Sequence, residues 1–467
     1  MTDLTSHPWF FCGIGGSGML PLALILRGQG AEVAGSDRSR DQGRTPEKFA
    51  WLESLGFALH PQDGSGIVST GQTLVASAAV EDTVPEMVRA RELGCPRMTR
   101  AELLAALFNA SETRIAIGGT SGKSTVTGMT GWIIDQAVRD PTIMNGAVMK
   151  NYASPDAPFA SARVGASVSG AGVFVSEVDE SDGSIALYRP DIAILNNVTL
   201  DHKSLEDLRI LFSDFLGKSR VAIVNADDAE STPFLSIDQA RSFGFRADAD
   251  YRISAFVAHA LGCSFEISHG DVTQPIKLNM PGRHNALNAA AAIAACDALG
   301  ISMSESAAAL ASFAGLARRF DIVGTSPSGI TVIDDFGHNP DKVAATLRTL
   351  KAHPGRVIAF FQPHGYGPLR QMGAELAETF ARELSPDDLT ILCDPVYFGG
   401  TVDRSQGSER IVELITSAGG EAEYLPSRDD CAARIVDIAK PDDRVVIMGA
   451  RDDTLSLFAR DLLAALP

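Results

Sequence analysis

The stretch RIAIGGTSGKST, residues 114–125, runs an apolar segment into a glycine-rich turn and then into a predicted helix. Gly-Lys-Ser is the working end of a phosphate-binding loop. Main-chain N–H groups and a helix N-terminus face the anion, the lysine meets the β- and γ-phosphates, and the hydroxyl reaches a divalent cation. Gly119, Thr120, Ser121, Gly122, Lys123, Ser124 and Thr125 are therefore candidates for nucleotide phosphates, with Ser124 on the metal side. The first glycine of the general pattern is Ile117 here, which leaves G-T-S-G-K-S as its core. A strand–loop–helix unit of this kind belongs to an α/β fold with mainly parallel sheets.

A second glycine loop lies earlier. FFCGIGGSGML, residues 10–20, contains G-x-G-x-x-G as Gly13, Gly15 and Gly18, with Ile14, Gly16 and Ser17 between them. It follows an apolar strand and opens a predicted helix, and Asp37 ends the next predicted strand. Such a loop holds a diphosphate, and such an acid accepts a ribose hydroxyl. Read alone, the loop suggests an NAD-dependent oxidoreductase. It reports a diphosphate on a ribose, however, and says nothing of nicotinamide. Two phosphate loops in separate blocks imply two different phosphorylated ligands.

A chain of 467 residues is too long for one core. Alternating strand-like and helix-like runs fall into three blocks, 1–107, 108–320 and 321–467. Buried-strand runs in the third are ITVIDDF, RVIAFFQP, LTILCD and RVVIMGA. The formal net charge of −18 argues against a basic nucleic-acid surface. Six scattered cysteines without a C-x-x-C pair suit a reducing compartment. The first residues carry no basic, apolar leader pattern, and no apolar run approaches a membrane span. The expectation is a cytoplasmic monomer or homodimer acting on small molecules, without nucleic acid or membrane partners.

Further motifs supply carboxylates, imidazoles and cations. In VFVSEVDESDGS, Glu177, Asp179 and Glu180 stand at a strand end as natural Mg²⁺ ligands. Strand alternation puts Glu177 and Asp179 on one face and Glu180 on the other. NNVTLDHKS offers Asp201 and His202, the latter a second metal ligand. MPGRHNALN places His284, Asn285 and Asn288 at a helix start, either to read an adenine edge or, for Asn285, to cap the helix. LARRFDIVG carries Arg318 and Arg319 at a block boundary, from which an arginine can reach a γ-phosphate. VIDDFGHNP sets Asp334, Asp335 and His338 at another strand end.

These motifs occur in order along nearly the whole chain, together with NGAVMK, RMTRAELLAAL and FQPHGY. The series resembles the Mur ligase family, ATP-dependent amide-forming ligases of peptidoglycan synthesis. It stands closest to the alanine-adding branch and has some features of the branch that adds a murein tripeptide. The resemblance implies three domains: a Rossmann-like UDP-sugar domain, a central P-loop ATPase domain, and a C-terminal Rossmann-like domain that receives the amine and closes over ATP. It implies ATP with Mg²⁺ or Mn²⁺, and an amide made through an acyl phosphate on UDP-N-acetylmuramate. By position it assigns the first loop, Asp37, Ser77 and Arg100 to the UDP-sugar, and Lys123, Ser124, Glu177 and His202 to phosphate and metal. His284, Asn285, Asn288, Arg318, Arg319 and Asp335 fall to ATP. His338, His364 and Arg370 fall to the acceptor or product side, with His338 a candidate base.

The chain departs from the family in places. The alanine-adding pattern F-Q-P-H-R-[YF]-x-R-x-R reads FQPHGYGPLR, so Gly365 and Pro368 replace two arginines and Arg370 is retained. G-H-H-P reads GHNP, with Asn339 for the second histidine, and the late G-A-G-x-x-G reads GARDDTL. Ser121 replaces the usual His or Asn, and Phe212 stands where many members carry a carbamylated lysine. The acceptor, L-alanine or a peptide, stays open, and a non-catalytic nucleotide-binding relative is the other alternative.

Overall fold

The computed structural model describes residues 4, 6–78, 80–165, 172–199, 204–397, 403–450 and 452–467. Among the described residues there are three sheets. The first has five parallel strands in the order Ala58–His60, Val33–Ser36, Trp9–Cys12, Thr73–Ala76, Arg97–Thr99. Its central strand is buried along its whole length, which is why WFFC reads as a continuous apolar run without alternation. The strand order reverses beside Trp9–Cys12. The crevice at the carboxyl ends of strands at such a switch point is where open α/β sheets bind ligands, and residues 13–18 lie there.

The second sheet has ten strands. Its parallel centre runs Val221–Asn225, Ile192–Leu195, Thr113–Gly118, Val173–Glu177, Thr142–Met144. Ile117 pairs in register with Glu177, so the glycine turn at 119–122 and the acidic segment after Glu177 leave the same sheet edge. The far side continues into an antiparallel ribbon, with Cys263 opposite Leu278, that the sequence motifs gave no reason to expect. The third sheet has Asp321–Thr325 antiparallel to Thr331–Asp335, followed by parallel Arg444–Gly449, Val357–Gln362, Leu389–Leu392 and Ala422–Tyr424.

The chain groups into two compact units. Residues 1–257, 263–279 and 285–315 form one, and residues 258–262, 280–284 and 316–467 form the other. All six cysteines are buried free thiols, as small apolar side chains would be. Phe212 is fully buried in the apolar core and offers no polar group. Among the described residues, no helix is long and apolar enough to cross a membrane.

Candidate functional site

The phosphate-type loop is built on two glycines in the left-handed region, Gly119 at φ 120° and Gly122 at φ 81°. The helix Lys123–Gln136 starts directly after Gly122. A Cβ on Gly122 would lie 2.7 Å from Asn288 Oδ1 and against Asn196 Nδ2, so backbone and surroundings both require glycine. Amide side chains hold the loop from behind. Asn197 Oδ1 accepts from Thr120 Oγ1 at 2.9 Å and from the Ser121 N–H at 2.8 Å. Asn196 and Asn197 both donate to the Ser121 carbonyl, at 2.9 and 3.1 Å. Asn145 donates to the Ser124 carbonyl at 3.0 Å. The sequence motifs gave these three asparagines no role, although the Asn-Asn doublet at a strand end was visible.

Asn285 and Asn288 belong to this brace. Asn288 Oδ1 accepts from Asn196 Nδ2 at 3.0 Å, and its own amide donates to Asn285 Oδ1 at 3.1 Å. Asn285 and Asn288 are 2% and 4% exposed. Both amides face inward and support the loop.

The acidic segment also differs from the alternation expected of it. The strand ends at Glu177, so residues beyond it follow turn geometry. Glu177 Oε2 accepts from Ser124 Oγ at 2.7 Å, and Glu180 Oε2 accepts from Lys123 Nζ at 2.8 Å. Glu177 and Glu180 thus reach the same loop. Asp179 and Asp182 face Arg100 instead, at 3.8 and 3.7 Å. Burial acts to lower the Lys123 pKa, but Glu180, with Asp179 and Glu177 behind it, outweighs burial and the ammonium is held charged. A Cβ on Gly146 would overlap the Glu177 carboxylate, so a bare backbone there lets Glu177 reach Ser124. A hydroxyl and a carboxylate are hard oxygen donors, the set that Mg²⁺ takes. His202 lies outside the described residues, as does Asp201. Among the described residues, no group of three or more His, Cys, Asp or Glu side chains could hold a metal.

The first loop is strapped to the next strand. The N–H groups of Gly13, at φ 80°, and of Ile14 donate to the Ser36 carbonyl at 2.8 and 3.1 Å. Asp37 was expected to offer its carboxylate to a ribose. Instead Oδ2 accepts from the Gly15 N–H and Oδ1 from the Ser39 N–H, both at 2.8 Å, and the latter caps the helix Arg38–Asp41. Gly16 accepts from Leu20 N, Ser17 is exposed, and Gly18 precedes the helix Met19–Gly28. Ser77 follows the strand Thr73–Ala76, its carbonyl accepting from Val80 N at 3.0 Å. Arg100 opens the helix Arg100–Ala110, fixed by a capping box between Thr99 and Glu102. Its side chain lies beside the loop: a Cβ on Gly18 would be 3.0 Å from Arg100 Cδ. Lys48, which no motif marked, is 6% exposed and donates to the Gly15 carbonyl at 3.3 Å.

In the second unit, the two neighbouring arginines separate. Arg318 is 9% exposed, with φ 60°. It donates to the carbonyls of Gly449 at 2.8 Å and Asp452 at 3.2 Å, which makes it a structural tie where a phosphate contact was expected. Arg319 is half-buried, with its guanidinium 4.3 Å from the Phe336 ring centroid. Asp335, which the resemblance gives to ATP, accepts from the N–H groups of Phe320 and Gly337 at 2.8 Å each and from Thr346 Oγ1 at 2.9 Å. His284 is exposed at its helix start, its ring beside Gly282.

His338 and His364 meet edge to face, with centroids 5.0 Å apart, and His338 also packs against Phe336. His338 Nδ1–H donates to the Phe336 carbonyl at 2.9 Å, which leaves Nε2 as an acceptor. Burial, reinforced by Lys342, His364 and Arg319, pushes the His338 pKa down to about 3. The ring is therefore neutral at physiological pH, and its conjugate acid is too strong for it to serve as an effective base. Arg370 is exposed and pairs with Asp403 at 2.8 Å.

Comparison with known proteins agrees with this arrangement. Residues 10–112 match the Mur ligase family catalytic domain, residues 117–296 the Mur ligase middle domain, and residues 318–451 the Mur ligase glutamate ligase domain. A UDP-N-acetylmuramate–L-alanine ligase of Streptomyces coelicolor is 34% identical over 460 residues, covering 95% of each chain. One from Clavibacter michiganensis is 33% identical, covering 95% of this chain and 90% of its own. The solved UDP-N-acetylmuramate–alanine ligase of Thermotoga maritima superposes with TM-score 0.81 at 25% identity, over 98% of both chains. A murein peptide ligase of Psychrobacter arcticus has TM-score 0.70 at 24% identity, again over 98% of both, and shares the fold. With three consecutive domain matches and full-length relatives, the chain belongs to the Mur ligase family.

Proposed function

We propose that this protein joins the amine of an amino acid, L-alanine in the leading reading, to the sugar-linked carboxylate of UDP-N-acetylmuramate at the expense of ATP. The observation that carries the proposal is one sheet edge where Lys123 and Ser124 meet Glu180 and Glu177, in a chain that also has a diphosphate-type loop at residues 13–18. Domain boundaries near 107 and 320 follow from the same reading.

The carboxylate oxygen attacks the γ-phosphorus of ATP, ADP leaves, and an acyl phosphate forms. The amine then attacks the acyl carbon, phosphate leaves, and an amide remains. Two anions must approach in the first step, so Lys123 offsets their repulsion from the loop side. Mg²⁺ or Mn²⁺, held by Ser124 and Glu177 with His202 as a third ligand, supplies further positive charge when bound. The main-chain N–H groups at the start of the helix Lys123–Gln136, on a loop fixed by the asparagine brace, receive the phosphates. Residues 13–18, shaped by Asp37 and flanked by Ser77 and Arg100, hold the UDP handle. His338, neutral and with Nε2 open, accepts a hydrogen bond from the incoming amine and orients it; it does not take the proton. The family resemblance gives Arg319 to ATP, and His364 and Arg370 to the acceptor or product side.

ILNNVTLDH and GITVIDDFGHNP, which lean toward the tripeptide-adding branch, favour a second reading in which the amine belongs to a murein tripeptide, and Gly365 and Pro368, where the alanine-adding pattern has arginines, leave that choice open. Phosphate release is measured with ATP, Mg²⁺ and UDP-N-acetylmuramate against L-alanine and the tripeptide. Release with one acceptor is expected and identifies it; release with neither refutes the substrate assignment. Lys123→Ala lowers the rate to below about 1% of the parent, the size of loss typical of a removed charge-stabilising contact; a retained rate refutes the loop's role.

A further inference from the structure

Within the first unit, one turn grips a cation from the neighbourhood of each loop. Glu180 holds Lys123 at 2.8 Å, and Asp179 and Asp182 face Arg100, which lies beside Gly18. The turn is tied to itself. Asp179 Oδ1 accepts from Ser181 N at 2.9 Å and Ser181 Oγ at 2.7 Å, and Asp182 Oδ1 accepts from Ser184 N at 2.8 Å. Two further main-chain bonds, Gly183 N to the Glu180 carbonyl at 3.1 Å and Ile185 N to the Asp179 carbonyl at 3.0 Å, close it. All three carboxylates therefore project from one closed turn of backbone. A phosphate that takes Lys123 competes with Glu180, and an anion that takes Arg100 competes with Asp179 and Asp182.

We propose that the turn Asp179–Ser184 couples the two loops, so that a nucleotide at residues 119–125 and an anionic sugar nucleotide at residues 13–18 each tighten the binding of the other. The first ligand displaces the whole turn and breaks both sets of ion pairs. The second then finds its cation already released, which is positive coupling through a shared two-state element. Linkage makes the effect equal in both directions. The inference rests on the ligands proposed above for the two loops.

Calorimetry on the full chain tests it, using UDP-N-acetylmuramate and a non-hydrolysable ATP analogue with Mg²⁺, each alone and each with the other at saturation. Each ligand binds alone, and each Kd falls by the same factor, about five- to tenfold, in the presence of the other. In the Asp179→Asn/Asp182→Asn double variant the factor falls to near one, while the sugar nucleotide alone binds at least as tightly as to the parent. In Glu180→Gln the nucleotide alone binds more tightly and the factor is again lost, which guards against a fold defect in the double variant. Two ligands that bind independently, or variants that keep the parent's factor, overturn the coupling and leave the loop assignment standing. Failure of either ligand to bind alone overturns the loop assignment and the coupling with it.

Discussion

Gly146→Ala isolates the geometry at Glu177. Gly146 lies outside the left-handed region, so alanine adds no backbone strain there. Its Cβ would occupy the place of a Glu177 carboxylate oxygen, the mobile end of a side chain. Glu177 has to swing aside. Swinging it costs about 0.5–1.5 kcal/mol for an off-rotamer side chain, and loss of the 2.7 Å bond from Ser124 costs about 1.5–3 kcal/mol as a charged hydrogen bond. Partial relaxation and rehydration of a half-exposed carboxylate reduce the sum, so the expected net destabilisation is about 1–2 kcal/mol, a typical single-substitution effect. The effect on metal binding is larger in proportion. Displacing a support of a metal ligand lowers affinity about 10- to 100-fold. The assay is phosphate release titrated with Mg²⁺, alongside thermal unfolding. The half-saturating Mg²⁺ concentration rises by that factor, with much of the lost rate recovered at high Mg²⁺ and only a small fall in Tm. A folded variant with unchanged Mg²⁺ dependence refutes the reasoning.

Asp37→Ala removes two main-chain hydrogen bonds at a buried site, one of them a helix cap, and lowers stability by about 2–4 kcal/mol. Arg370→Ala breaks only an exposed ion pair and stays within about 0.5 kcal/mol; chemical denaturation of both ranks them, and equal effects contradict the assignment of Asp37 to the loop's frame. His338 has its pKa lowered to about 3, so it is already neutral above about pH 4 and cannot add a titration limb between pH 6 and 8. His338→Gln accordingly weakens the acceptor KM or kcat but leaves the pH midpoint of the rate in place, whereas loss of that limb would make His338 the base.

Much of the chemistry was legible along the chain because it is local. A phosphate loop needs a strand, a turn of glycines and a helix start within a dozen residues, and RIAIGGTSGKST contains all of them. Lys123 and Ser124 open the helix that follows the glycine turn. Buried parallel strands are also local signals, and WFFC, IAIL and VIAFFQ form the centres of their sheets.

Pairings between distant residues were not legible. Asp37 and Asp335 look like free acids at strand ends, yet each accepts from a main-chain N–H well before it in sequence, of Gly15 and Phe320, as well as from one two residues on. Arg318 and Arg319 are alike in sequence and both lie over Phe336, but the first, at a positive φ, is buried onto two carbonyls while the second stays half-buried. The asparagine brace draws on residues 145, 196, 197 and 288, which sheet order and the packing of the helix Arg283–Asp297 gather around residues 119–124. Composition and spacing name the groups able to bind phosphate and metal, since those abilities reside in single side chains and short turns. Which carboxylate holds which cation depends on where each strand stops and which strand lies beside it, and those are properties of the assembled sheet.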